Sequence, residues 1–397
     1  MKVVIPDKVS KMSAKIFEEN GFEVEHRPSI DIGKCNEISK GSEALVVRSY
    51  DLHELELSDS LLAIGRSGAG VNNIPVEKCT EKGIVVFNTP GANANAVKEL
   101  VLCGLFLSSR KIVDGVNWTV CQKEHGEKVS KLVEENKSQF KGNEIKGKRL
   151  GVVGLGAVGM LVANDALALG MNVMGYDPFI SIDNAWKLSR DVGQAKNLDS
   201  LIKNSDYITL HVPLNDKTNR MINNSFFKKM KKGVRIMNFS REEIINTQDL
   251  IGALKSGIVG NYVTDFPNCE LIGVPNVICI PHLGASTEEA EENCAVMVTE
   301  QLVDFLKNGN VVNSVNFPTC KMERNGNTRI TVINKNIPGM IEKVTTVIAD
   351  EKLNIEEMIN KSRGEMAYSF FDVSGDVNER IIGKLKDIEG VVRVRKL

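Results

Sequence analysis

Three polar side chains stand just past short apolar runs in the second half of the chain. Arg241 follows Val234–Met237, Glu270 follows Tyr262–Thr264, and His282 follows Val277–Ile280. In an open parallel sheet, ligands bind beyond the carboxyl ends of the strands, so residues far apart in sequence converge on one crevice. Their types suit alcohol–ketone interconversion. A guanidinium holds a carboxylate through two parallel hydrogen bonds and aligns the neighbouring carbon. An imidazole removes the hydroxyl proton while hydride leaves the same carbon, and returns it in reverse. A carboxylate on the other ring nitrogen fixes the tautomer and stabilises the charged ring. Singly, each has a plainer role: a surface cation, a solvated loop acid, a strand-end cap. Among the other histidines, His26, His53 and His125 lie in polar segments and read as solvated. His211, in Leu210-His211-Val212-Pro213, closes an apolar run and is expected to line a cofactor crevice.

A hydride acceptor is implied upstream. Gly154-Leu155-Gly156-Ala157-Val158-Gly159 follows the run Arg149–Val153 and opens a helical stretch, Ala157–Leu169. The next apolar run, Val173–Tyr176, ends in Asp177, near the offset of about 20 residues expected of a ribose-binding acid. Gly154 permits the tight turn, Gly156 lets backbone approach a pyrophosphate, and Gly159 lets helix and strand pack closely. The helix start at Ala157 and Val158 offers unpaired N–H groups and positive potential to phosphates. Asp177 suits two ribose hydroxyls and repels a 2′-phosphate. Pro178 and Phe179 follow with no adjacent arginine, so NAD is favoured over NADP.

The elements that must position these groups alternate between short apolar runs and helical patterns. Lys2–Ile5, Ala44–Val47, Leu61–Ile64 and Ile84–Phe87 are compact runs separated by stretches such as Lys11–Asn20 with helical spacing. Runs apolar throughout signal parallel strands covered by helices on both faces. A helix over Asn95–Val113 leaves this first unit, and a charged, weakly periodic surface excursion, 114–148, precedes the second. A long helix, Glu288–Lys307, carries an acidic first turn that suits the helix dipole. The last part reads as strand Thr328–Ile333, helix Pro338–Glu351, strands Asn354–Asn360 and Met366–Val373, helix Glu379–Lys386 and strand Val391–Val394. That βαββαβ order is the split pattern of ferredoxin-like folds. The expected fold is therefore α/β, with two doubly wound parallel-sheet domains, flavodoxin-like and Rossmann, and a small C-terminal domain. The expected boundaries are a substrate-binding domain over 1–92 completed by 287–310, a nucleotide domain over 93–286, a linker over 311–327 and the small domain over 328–397. Because the fingerprint lies after about 150 residues of α/β sequence, a substrate cleft between the first two domains is expected.

Composition excludes several function classes. The 397 residues are 42% hydrophobic and 25% charged, as in a soluble globular chain. Lys and Arg number 50 against 51 acids, a net charge of −1, which argues against a nucleic-acid coat or a strongly basic membrane-surface protein. The start, MKVVIPDKVS, reads as a strand and not a signal peptide, and no stretch approaches the roughly 20 apolar residues of a membrane span. Eight scattered cysteines form no C-x-x-C pair and read mostly as small buried thiols, without metal or disulfides. A reduced, cytoplasmic enzyme is the expectation.

With these residues in view, the sequence resembles the D-2-hydroxy-acid dehydrogenase family over almost its whole length. The resemblance is carried by Arg48-Ser49, by Gly65 through Ile74, by Asn88 through Asn93, by the glycine fingerprint with Asp177, by Arg241, by Asp265 through Glu270, and by Pro281 through Thr287. The tail resembles an ACT regulatory domain. The family implies Arg241, Glu270 and His282 as the catalytic triad, with His282 as acid/base, and Asp265 as a contact of the nicotinamide amide. It implies Arg48, Ser49, Arg66 and Asn93 as holders of the substrate and its phosphate, and Gly68-Ala69-Gly70 as backbone donors to the substrate carboxylate. The cofactor set becomes Gly154, Gly156, Ala157, Val158, Gly159, Asp177, His211, Val212, Pro213, Asn238, Asp265, His282 and Gly284. The implied reaction is NAD-dependent oxidation of D-3-phosphoglycerate to 3-phosphohydroxypyruvate, the entry to serine synthesis, in a homodimer or homotetramer without nucleic-acid or membrane partners. An unphosphorylated 2-hydroxy acid and an NAD(H)-sensing role are the alternatives. In the tail, Asn336 and Asn354 match amide positions of an amino-acid effector site, while Asn334 stands where the serine-binding version has histidine. A further departure is the pair Glu242 and Glu243 after Arg241, where the family usually has glycine.

Overall fold

A computed structural model describes residues 1–325 and 328–397. It contains three sheets, and its contacts group the chain into two compact units, Met1–Asn93 with Glu291–Leu397, and Ala94–Ala290.

In the first unit, β1 (Lys2–Ile5), β2 (Glu23–His26), β3 (Ala44–Val47), β4 (Ala63–Arg66) and β5 (Val85–Phe87) form a parallel sheet ordered β2-β1-β3-β4-β5. This is the flavodoxin-like order. All four residues of β3 are buried, as an inner parallel strand with both faces covered requires. The apolar run at Leu61 enters the sheet two residues later than expected, because the Leu61 N–H closes a turn on the Ser58 carbonyl. Strand β2 carries no apolar run. Among the described residues it is an edge strand, bonded only to β1, so Glu23 faces water, while the half-buried Glu25 pairs with Lys2 at 2.7 Å.

The second unit holds β6 (Arg149–Val153), β7 (Asn172–Tyr176), β8 (Gly193–Gln194), β9 (Tyr207–Leu210), β10 (Val234–Asn238), β11 (Val259–Thr264) and β12 (Val277–Cys279). They are parallel and ordered β12-β11-β10-β9-β6-β7-β8, the doubly wound Rossmann arrangement with its switch point between β6 and β9. The helix expected over Asn95–Val113 ends at Ser109, and a second helix spans Ile112–Cys121. The excursion is helical, with Val129–Asn136 following, and none of the residues in these two helices is buried.

Strands β13 (Thr328–Lys335), β14 (Asn354–Arg363), β15 (Met366–Ser374) and β16 (Val391–Lys396) make an antiparallel sheet ordered β14-β15-β13-β16. Helices Met340–Asp350 and Glu379–Lys386 complete the βαββαβ pattern. The first starts at Met340, not Pro338, because Gly339 takes φ +81 at the cap. One sheet face packs Val332, Phe371 and Val373 against Val344, Ile348 and Leu385 of those helices. The other face puts Ile333, Met366, Tyr368 and Phe370 into the core of the first sheet, with Phe87 of β5 and Phe305 of the helix Glu288–Asn308. Eight successive residues of β15, Met366–Val373, are therefore buried.

The stretch read as a linker is packed as well. Phe317 is fully buried, and the Asn316 side chain accepts from the Val86 N–H and donates to the Ile84 carbonyl. Residues 326 and 327 of that stretch lie outside the described residues. Among the described residues no helix is long and apolar enough to cross a membrane. The cysteines are all free, but they divide evenly where mostly buried thiols were expected. Cys35, Cys79, Cys294 and Cys320 are buried, Cys279 is half-buried, and Cys103, Cys121 and Cys269 are exposed on surface helices or a loop.

Candidate active site

The fingerprint sits at the switch point, where β6 ends beside β9. Gly154 has φ +91, and a Cβ there would lie 2.6 Å from the His211 carbonyl oxygen. A Cβ on Gly159 would lie 2.0 Å from the Gly154 oxygen, whereas Gly156 faces open space. Gly156 caps the helix Ala157–Ala168 with no side-chain partner, which leaves the Ala157 and Val158 amides to a phosphate. Asp177 is held at the end of β7. Its Oδ2 accepts the Leu155 N–H at 2.8 Å and its Oδ1 the Phe179 N–H at 2.8 Å. A cleft of about 450 Å³ opens there, lined by Leu155, Tyr176, Asp177, Ile180 and Val192 among others. This corner has the backbone cradle and the acid that a dinucleotide requires.

Past β11, Asp265 is 1% exposed. Its Oδ2 accepts the Gly284 N–H at 2.9 Å, while Oδ1 is buried and has no partner among the described residues. Burial pushes its carboxyl above the usual carboxylate range, against the Gly284 bond and the charges of His282 and Arg241. A buried acceptor without a donor fits an incoming N–H, such as that of a carboxamide. Arg241 and His282 are thus each within electrostatic reach of Asp265.

Each is set by its backbone. Asn238, fully buried, donates from Nδ2 to the Arg241 carbonyl at 2.8 Å and so ties the β10 end to the arginine loop. The Arg241 guanidinium donates to the Ser240 carbonyl at 2.6 Å. His282 is exposed, with φ +37, its N–H on the Asp265 carbonyl and its ring 4.7 Å from that of Phe266. A left-handed non-glycine residue is strained, and such strain concentrates at functional sites. His211 lies beside Gly154, its carbonyl against the glycine. Its Nε2 lies 2.9 Å from Thr209 Oγ1, and burial pushes the imidazole down to about 3, which leaves it neutral. Val212 and Pro213 continue from it, and the Val212 side chain is the next neighbour of Gly154.

Glu270 departs from expectation. Its Oε1 accepts from Gln248 Nε2 at 3.0 Å, and among the described residues no hydrogen bond joins it to His282. The cause is the loop. Asn268 Oδ1 accepts the Glu270 and Leu271 N–H groups, and Asn268 Nδ2 donates to Glu242 Oε1 at 2.7 Å, which turns Glu270 toward the helix Thr247–Lys255. Glu242 is thereby engaged, and Glu243 is exposed.

In the first unit, Arg48 and Ser49 follow β3. The N–H groups of Arg48, Ser49 and Tyr50 all point at Asp7 Oδ2, at 2.8 Å from Arg48 and 2.6 Å from Tyr50. The Arg48 guanidinium pairs with Glu291 at 2.7 Å. Gly68 has φ +144, and the Arg66 guanidinium fills the space that a Cβ would take. Asn88 Nδ2 donates to the Ala69 carbonyl at 2.7 Å and holds the loop that leads to Gly70. Asn93 is half-buried at the end of this unit's first segment.

In the C-terminal sheet, Asn334, Asn336 and Asn360 line a small cavity by the helix Met340–Asp350. Asn354 is not among them. It pairs with Ser374, seven residues along from Ala367, so one chain keeps it about 23 Å from the cavity, at ~3.3 Å per residue. Sequence reasoning missed Asp7, Gln248, Glu291 and Asn360. Asp7 ends an apolar run and could have been flagged, but its partners lie 41 to 43 residues away.

Residues 107–284 match the family model described as D-isomer specific 2-hydroxyacid dehydrogenase, NAD binding domain. The chain is 31% identical over 418 residues to D-3-phosphoglycerate dehydrogenase 2 of Saccharomyces cerevisiae, covering 98% of this chain and 84% of the relative. It is 34% identical over 376 residues to the D-3-phosphoglycerate dehydrogenase of Methanocaldococcus jannaschii, covering 92% and 68%. Among solved structures, the NAD+-bound 3-phosphoglycerate dehydrogenase of Entamoeba histolytica superposes with a TM-score of 0.61 at 29% identity, covering 80% of this chain and 98% of that one. With a Rossmann sheet, a dinucleotide cradle and these relatives, the chain belongs to the NAD-dependent D-isomer-specific 2-hydroxyacid dehydrogenase family.

Proposed function

We propose that the protein oxidises D-3-phosphoglycerate to 3-phosphohydroxypyruvate, the first step of serine synthesis, in the cytoplasm. The observation that carries this reading is the gathering of Arg241, Asp265 and His282 past the strand ends of the sheet that bears the dinucleotide cradle. NAD, when bound, supplies the ring that accepts the hydride. Asp265 Oδ1 would accept an N–H of the nicotinamide carboxamide. Arg241 suits the substrate carboxylate; in the first unit, the amides of Gly68-Ala69-Gly70 suit a carboxylate as well, and Arg48, Ser49, Arg66 and Asn93 suit a phosphate. His282 takes the hydroxyl proton as hydride leaves, and Glu270, on exchanging Gln248 for His282, steadies the imidazolium.

The working form is a homodimer or homotetramer. Ile112, Val116 and Val120 recur every fourth residue on the helix Ile112–Cys121 and are 46%, 56% and 69% exposed, an apolar stripe that a second copy would cover. An amino-acid effector would bind at Asn336, with Asn354 supplied from another copy.

The ion pair on Arg48 favours a second reading, an unphosphorylated 2-hydroxy acid as substrate. The test measures NADH oxidation with 3-phosphohydroxypyruvate and with hydroxypyruvate, for the parent and for His282→Asn. The variant is expected to bind NADH as the parent does and to lose roughly 10²- to 10⁴-fold in kcat. Preference for hydroxypyruvate would select the second reading. Tight NADH binding with no turnover in the parent would select a sensor, and near-parental rates in the variant would remove His282 from proton transfer.

A further inference from the structure

The corner that holds Arg48 contains an acid to which the reaction gives no role. Asp7 Oδ2 takes three successive N–H groups, from Arg48, Ser49 and Tyr50. Such a nest is itself an anion site, and here the protein's own carboxylate fills it. Asn73 Nδ2 donates to the Tyr50 carbonyl at 2.7 Å and fixes the same turn from its other side. The backbone at 48–50 is therefore spoken for, so side chains must answer a ligand there, and of these Arg48 carries the charge. That side chain is 31% exposed and paired at 2.7 Å with Glu291, which is 42% exposed in the first turn of the helix Glu288–Asn308. The buried Cys294, three residues beyond Glu291, feels both the Arg48 and Arg66 guanidiniums, so the two cations and Glu291 share one corner.

We infer that Glu291 is a built-in counter-anion that a phosphomonoester must displace from Arg48, and that it thereby sets how strongly the protein prefers phosphorylated over unphosphorylated substrates. The inference rests on the assignment of Arg48 to the phosphate end in the proposed function. The charge count gives the direction. Arg48, Arg66 and Glu291 sum to +1, against a phosphomonoester that carries about −1.5 to −2 at neutral pH. Replacing the carboxylate with a neutral amide of the same shape leaves the Arg48 guanidinium to the ligand and removes an acid that repels it. A half-exposed ion pair holds its cation only modestly, so the gain is about three- to fivefold. Glu291 is a positioning residue here: it acts through Arg48.

The test uses the full chain as parent, Glu291→Gln, Arg48→Gln and the double variant. Inorganic phosphate is titrated calorimetrically without NAD, and initial rates are then measured with 3-phosphohydroxypyruvate and hydroxypyruvate. Glu291→Gln is expected to bind phosphate three- to fivefold more tightly, with no such gain in the Arg48→Gln background. The KM ratio of hydroxypyruvate to 3-phosphohydroxypyruvate rises by about the same factor. Unchanged phosphate affinity in Glu291→Gln, the same gain without Arg48, or parallel shifts of both KM values overturns the inference. A parent that binds phosphate through Arg48 but turns over neither oxo acid refutes the proposed function and leaves the calorimetric arm to decide the role of Glu291.

Discussion

Asp265 combines near-complete burial with an oxygen that has no donor among the described residues, and desolvation raises its carboxyl above its ordinary value of 3.8. A raised carboxyl costs stability wherever it is ionised in the fold. That cost is absent below the unfolded value near 3.8, grows as pH rises toward the folded value, and is complete above it. Asp265→Asn is therefore expected to unfold at a higher temperature than the parent at pH 8 without NAD, by about 1 °C if it relieves ~1 kcal/mol over the whole chain. The gap should close as pH falls toward 4, and thermal melts across that range check it. A variant less stable at pH 8 would show that Oδ1 has a donor in solution. The type and strand-end position of Asp265 are legible in the sequence. Its orphan oxygen is not, because that follows from which neighbours the fold places around it. Glu270 shows the converse: its type suits an imidazole partner, yet Asn268 and Gln248 turn it away.

Among the elements, β13 and β15 are joined by a buried ion pair. Arg329 and Asp372 are both fully buried and meet through two hydrogen bonds, Nε to Oδ1 at 2.6 Å and Nη2 to Oδ2 at 2.8 Å. The remaining guanidinium hydrogens go to the Asn308, Met322 and Glu323 carbonyls, so one side chain fastens the strand to the segment that leads into it. Arg329→Met leaves a buried carboxylate and is expected to cost about 3–5 kcal/mol in urea unfolding, whereas adding Asp372→Leu should recover most of that loss. A cost under 1 kcal/mol for the single change would mean that water reaches the pair. The strand itself is legible from its apolar run, as are most strands of both parallel sheets. The exceptions are the edge strands β2 and β8: the polar residues of β2 and the two residues Gly193–Gln194 carry no apolar run, because one neighbour suffices to hold each.

For the molecule as a whole, the C-terminal sheet is part of the first unit's core. Tyr368 Oη donates to the Gly309 carbonyl at 2.7 Å, Arg393 donates to the Leu61 and Lys82 carbonyls, and Arg395 to those of Phe305 and Leu306. Removal of residues 328–397 would uncover Phe305, Leu306 and Phe317, which are buried in the full chain. The shortened protein is expected to melt at lower temperature, bind an apolar dye and lose soluble yield. An equally stable, soluble product would show the tail to be an independent appendage. The sequence reading set a linker before this tail because polar residues and Pro318 break the pattern there.

Local pattern was enough for the α/β class and the nucleotide cradle, since apolar runs and glycine spacing are properties of short segments. The partners were decided by the fold. Asp7 with the 48–50 turn, Glu291 with Arg48, Gln248 with Glu270, and the tail with the first sheet are all pairings across long stretches of chain. Charge, hydrogen bonding and packing act over a few ångströms in space, and only the folded backbone sets which residues come that close.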